Sequence, residues 1–162
     1  MVLSSEDQDR IESFRIYVED SIATDDRYGP AVREDTDTVL ATRFYEGTSC
    51  WFEIALLPAE KQVRVGFFTT DPAINTDCEQ VIVESGETSV RFVGQAFEEA
   101  GLDLPSPAVE HGKERDASYY ATPLKFDDMI DLDSDGLRDK ALRMLEGYLI
   151  AFGPALGAEE GE

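Results

Sequence analysis

Histidine occurs once in the 162 residues, at position 111, which excludes His-rich metal sites and leaves one general base of that type. Cysteine occurs twice. Cys50 and Cys78 lie far apart and form neither a CxxC motif nor a metal spacing, so two free thiols are expected, in a chain long enough to need no disulfide. No glycine-rich loop follows a strand and opens a helix, and no GxSxG is present, so phosphate-cradling and serine-nucleophile motifs are absent. Apolar runs such as Leu149-Ile150-Ala151-Phe152 are far too short to span a bilayer. The opening MVLSSEDQDR has no basic region followed by an apolar run. A soluble cytoplasmic protein is therefore expected. Positive charge is scarce as well, with only four lysines: Lys61, Lys113, Lys125 and Lys140.

What the chain has in abundance is acid. Asp and Glu number 35 against 14 Lys and Arg, a net charge of −21. Such a surface repels nucleic acid and anionic membrane, which excludes both as partners. High acid with little lysine points to a salt-rich, halophilic setting in which counterions screen self-repulsion. The 42% hydrophobic content, with nine Phe and six Tyr, argues for a folded core and not an acidic disordered chain. Residues 1–156 are read as one α+β domain and 157–162 as an acidic disordered tail.

Ser5-Glu6-Asp7-Gln8 has the spacing of a capping box, and Ile11, Phe14, Val18 and Ile22 make one helical stripe. A polar loop then runs to about residue 36. Strands are expected over 38–45, 50–57 and 62–69, joined by short turns as an antiparallel meander. For 75–101 the composition favours helix–break–helix over strand–helix. Thr76-Asp77-Cys78-Glu79 would open the first helix, Ser85-Gly86 break it and Gly101 close the second. Residues 108–111 and 118–124 are expected to pair as a hairpin. A helix follows from Asp135, stopped by Gly153-Pro154. The fold class is thus an antiparallel sheet, a three-stranded meander plus hairpin, with amino-terminal, middle and carboxyl-terminal helices.

Asp131-Leu132-Asp133-Ser134-Asp135-Gly136 reproduces the opening half of an EF-hand loop. Counting from Asp131, position 9 is Asp139, but position 12, which should supply a bidentate carboxylate, is Leu142, and position 8 is Arg138. The segment reads instead as a cap for the helix, formed by Asp133, Ser134 or Asp135. Paired acids such as Asp25-Asp26 and Glu98-Glu99 carry little information in so acidic a chain, and His111 beside Glu110 lacks a nucleophile partner. No catalytic, cofactor or metal residue is assigned.

The aromatics are more telling. Phe44-Tyr45, Trp51-Phe52, Phe67-Phe68 and Tyr119-Tyr120 are adjacent pairs in expected strands, so one of each pair should point away from the helix-packed core. Two readings stand side by side: cover on both faces, or an aromatic patch that binds another protein or a second copy. In the second reading Trp51, Phe68, Phe97 and Tyr120 are the protein-binding candidates. Phe97 and Trp51 would anchor a homodimer built on the meander or on the 88–100 helix.

The stretch SYYATPLKFDDMIDLDSDGLRDKALRMLEGYLIAFGPAL, residues 118–156, resembles the ending of YbjN-type proteins. An aromatic strand leads to a polar cap and then to an amphipathic helix closed by Pro-Ala-Leu. The whole element order resembles the type III secretion chaperone-like fold. The chain departs from that pattern over 75–101, which is longer and more broken than a single helix. The resemblance implies a non-enzymatic, chaperone-like or regulatory protein-interaction module, and it transfers no site residues. The alternative is a small-molecule or calcium-binding protein using the acidic segment 131–139.

Overall fold

The computed structural model describes residues 3–104, 106–114 and 116–160, excepting the side chains of 157–160. Helix α1 spans Ser5–Ala23 and leads into a four-stranded run: β1 Ala31–Asp35, β2 Leu40–Tyr45, β3 Cys50–Leu57 and β4 Gln62–Thr69. Helices α2 Pro72–Ser85 and α3 Ser89–Glu99 follow, then the hairpin β5 Glu110–Glu114 and β6 Ala117–Lys125, and finally α4 Asp135–Glu160. The six strands form one antiparallel sheet in the order β1-β2-β3-β4-β6-β5. The α+β class, the meander and the hairpin agree with the sequence reading. The meander has one more strand than expected, because Ala31–Asp35 is an edge strand with all five residues exposed and shows no apolar alternation.

The helices open on oxygen caps. Ser4 caps α1, accepting from Asp7 N at 3.0 Å, one residue before the expected box. Helix α2 starts at Asp71-Pro72, not at Thr76, because Asp71 caps Ala73 N and proline presets the first turn. Thr76 lies inside that helix and donates back to the Pro72 carbonyl. The break after Ser85 is as expected: Gly86 takes φ +77°, a conformation glycine adopts without cost, and Thr88 caps α3. Helix α4 does not stop at Gly153-Pro154. Proline there costs a backbone hydrogen bond, but Ala151, Phe152, Ala155 and Leu156 are buried, and that packing carries the helix through to Glu160. The expected tail is therefore helical over 157–160, and residues 161 and 162 lie outside the described ones.

All four helices serve one face of the sheet. Strands alternate, so Phe52, Ile54 and Leu56 of β3 and Val63, Val65 and Phe67 of β4 point to the helices. They meet Phe14 and Val18 of α1, Phe97 of α3, and Leu145, Tyr148 and Phe152 of α4 in one continuous core. The Tyr148 hydroxyl reaches across to Thr122 Oγ1 of β6 at 2.8 Å, satisfying two polar groups inside that core. No helix among the described residues is long and apolar enough to cross a membrane.

Candidate functional site

Among the described residues no helix covers the opposite face of the sheet. Its residues are the alternate members of the same strands: Arg43 and Tyr45 of β2, Trp51, Glu53 and Ala55 of β3, Arg64, Gly66 and Phe68 of β4, and Tyr119 of β6. Register places Tyr45, Trp51, Phe68 and Tyr119 side by side. Their rings form a row across four strands with centroid separations of 5.4, 5.8 and 5.2 Å, the last two pairs stacked. The aromatic pairs do split between faces: Phe44, Phe52, Phe67 and Tyr120 belong to the helix side, and their neighbours to this row.

Trp51 and Phe68 are nevertheless only 5% and 3% exposed. The sheet covers them by curling. Arg64 is in register with Pro123 and Glu114 with Ala117, six residues apart on β6, or about 20 Å in a flat sheet. Extended Arg and Glu side chains, with the hydrogen bond between them, span together only roughly 15 Å. Yet Arg64 Nη1 and Nη2 donate to both oxygens of Glu114 at 3.0 Å. The β5–β6 end must therefore fold over the face, and the strands' natural twist is taken up in that curl. The result is a half-open cavity of about 350 Å³ that runs from the β1–β2 turn, with Thr36, Thr38 and Val39, to the β5–β6 turn, with Asp116 and Ala117.

Charge crosses this cavity in an alternating series: Glu34, Arg43, Glu53, Arg64, Glu114. The Arg43 guanidinium lies 4.3 Å over the Trp51 ring and that of Arg64 5.5 Å over Phe68, so each cation covers an aromatic face. Glu53, 3% exposed, accepts from Trp51 Nε1 at 3.1 Å and from Arg64 Nη2 at 3.4 Å. Arg43 Nε stands 3.4 Å from Glu53 without hydrogen-bond geometry. Burial pushes the Glu53 carboxyl above its ordinary value, outweighing the opposing pull of Arg64, Trp51 and Arg43. Burial also works against the charge of Arg64, but the hydrogen bonds to Glu114 prevail and hold it firmly protonated.

The expected binding residues fall in two places. Trp51 and Phe68 line the cavity. Phe97 is fully buried between α3 and α4, against Gly147 and Tyr148, and Tyr120, 3% exposed, stacks on Phe152 beneath the helices. Both belong to the core on the helix side of the sheet and neither lines the cavity. Sequence reasoning missed Arg43, Glu53, Arg64 and Glu114. The available signal was a Glu and an Arg in the middle of otherwise apolar strands.

The remaining candidates point elsewhere. Asp131 turns back to accept from the backbone N–H groups of Asp127 and Asp128, Asp133 pairs with Arg10, and Ser134 caps α4 through Leu137 N. Arg138 donates to the Leu132 carbonyl, inside what would be the ion site. Among the described residues no three His, Cys, Asp or Glu are grouped as metal ligands. His111, on edge strand β5, stacks on Tyr120 at 3.9 Å and faces Glu79 on the helix side. Both cysteines are buried free thiols, and burial pushes Cys78 up to about 12, leaving it a poor nucleophile.

No protein-family model, curated protein or solved structure matches the chain. The functional reading rests on the cavity alone.

Proposed function

We propose that this is a non-enzymatic protein-interaction module, chaperone-like or regulatory, that receives part of another chain on the helix-free face of its sheet. The observation that carries the reading is a half-open cavity lined by Trp51 and Phe68, the middle of the four-ring row, together with the Arg43–Glu53–Arg64–Glu114 charges. Four helices are committed to the other face, so this one is left for something else. A concave, aromatic-floored surface with a few placed charges is the composition of a binding site. The volume, at the lower end for ligand pockets, suits a side chain with its flanking backbone better than a folded domain. Support for the family resemblance comes from the element order, with β1 as an addition and the middle helix divided into α2 and α3.

The test is site-specific photo-cross-linking in a lysate of source cells at high salt. A cross-linker at rim position Thr38 is compared with one at Val83, which is 70% exposed on α2. A protein identified by mass spectrometry from the rim position and not from Val83 is the expected outcome. A second copy of the chain as the captured species would establish the homodimer expected from the sequence. No protein adduct at the rim above the control would overturn the reading.

A further inference from the structure

We infer that the cavity on the curled face takes a lysine or arginine side chain from a partner protein's chain. The inference rests on the interaction reading and assigns the chemistry of the occupant.

Charge balance within the cavity is the first argument. Among the described residues its lining holds four carboxylates, Glu34, Glu53, Glu114 and Asp116, against two guanidinium groups, Arg43 and Arg64. Glu114 is matched by Arg64 in a bidentate pair, and Glu53 shares both arginines. Glu34 is left with a single 3.9 Å approach from Arg43, and Asp116 has no hydrogen-bond or ion-pair partner among the described residues. Both are exposed. Among the described residues, then, one under-compensated carboxylate stands near each end of the trough, and a cation entering between them meets negative charge from both sides.

The surroundings act in the same direction. Glu53 is desolvated at the floor, and a further cation would favour its charged form. The field of a molecule carrying −21 steers cations in and turns anionic segments away. Val39, Ala41 and Ala117 on the lining give the aliphatic stem of a long side chain apolar contact, while the charged tip stays near the rim. Thr36, Thr38 and Thr70 are on the lining, where both the N–H and the C=O groups of a flanking backbone find hydroxyl partners, whereas a free amine can only donate.

The experiment uses the intact protein and its only tryptophan, Trp51, in the cavity wall, as the reporter, with calorimetry in parallel. The probes are capped hexapeptides of glycine and serine carrying two lysines, two arginines or two glutamates, with agmatine and spermidine as free amines. The basic peptides are expected to shift Trp51 emission saturably at 0.15 M KCl and to weaken at 1 M as screening shortens. The double variant E34Q/D116N should weaken them about two- to fivefold for each carboxylate removed, the range of an exposed ion pair. The control D9N/D20N, which removes the same charge from exposed positions of α1, should leave them within twofold. Equal binding by the glutamate peptide, equal binding by the free amines, or an unchanged affinity in E34Q/D116N would each overturn the inference. If no basic peptide registers while rim cross-linking still identifies a protein, the charge assignment fails and the interaction reading stands. If both are silent, both fail.

Discussion

Replacing Arg64 by Met tests how the curled face is held together. Methionine keeps most of the volume over Phe68 and removes the charge. Glu114 loses its bidentate partner, but its side chain is 40% exposed and water can replace the arginine at a cost of about 1 kcal/mol or less. Glu53 is different. It is 3% exposed and would keep only Arg43 and the Trp51 N–H. Breaking a buried pair by removing one member costs about 3–5 kcal/mol, because the other charge stays behind. With Arg43 still in place the lower end applies, so R64M should cost about 3 kcal/mol at pH 7. The carboxyl can also escape by taking a proton. Its folded-state pKa is already above the ordinary value, so this group's stabilising contribution is complete below about pH 4.5 and is lost as pH rises through the folded value. Two results follow for urea unfolding, monitored by Trp51 emission and far-UV circular dichroism. The cost of R64M should shrink as pH is lowered from 7 towards 5, and R64M/E53Q should be more stable at pH 7 than R64M alone. An R64M cost below about 1 kcal/mol, or a double variant no better than the single one, would refute the reasoning.

Other expectations concern the rest of the molecule. On the wild-type background E53Q should not destabilise the protein at pH 7, and the stability of wild type relative to E53Q should fall as pH rises above about 4.5, read from paired urea titrations. G147A places a methyl group against the Phe97 ring and 3.3 Å from its Cα, so overpacking of about 1–3 kcal/mol should exceed the helix gain of about 1 kcal/mol and lower the melting temperature. S134A should cost about 1 kcal/mol through loss of the α4 cap, and millimolar calcium should shift the melting temperature no more than magnesium at equal ionic strength. Stability should climb from dilute buffer to molar potassium chloride as the −21 charge is screened; a flat response would mean the charges are already compensated.

Much of this architecture was legible because strand alternation is a local property. Trp51-Phe52 and Phe67-Phe68 had to divide between two faces whatever the tertiary structure. Which member would face the helices was not local information, and that is why Tyr120 was grouped with Trp51 when it belongs with Phe52. Phe97 was misplaced for a related reason: a helical stripe shows that a face is apolar, not whether another helix covers it. Ala31–Asp35 gave no signal at all, since an edge strand with five exposed residues needs no apolar alternation. The pair Arg64–Glu114 joins residues 50 apart through a bend of the sheet, and no spacing rule reaches that far. The helix that follows the 131–136 acids was legible because Ser134 stands where a cap belongs, just before an apolar helical stripe.

The curl also places the cavity late in the order of assembly. Its walls draw on Glu34 at one edge and Glu114 at the other, so nearly the whole sheet must be registered before the trough exists. Contacts so distant along the chain carry the largest loop-closure entropy and are the slowest to be rewarded. A nascent or partly unfolded chain thus has its meander before it has the cavity, with Trp51 and Phe68 bare. During that interval the same aromatic row is an adhesive surface, and the carboxylates around it act as its gatekeepers.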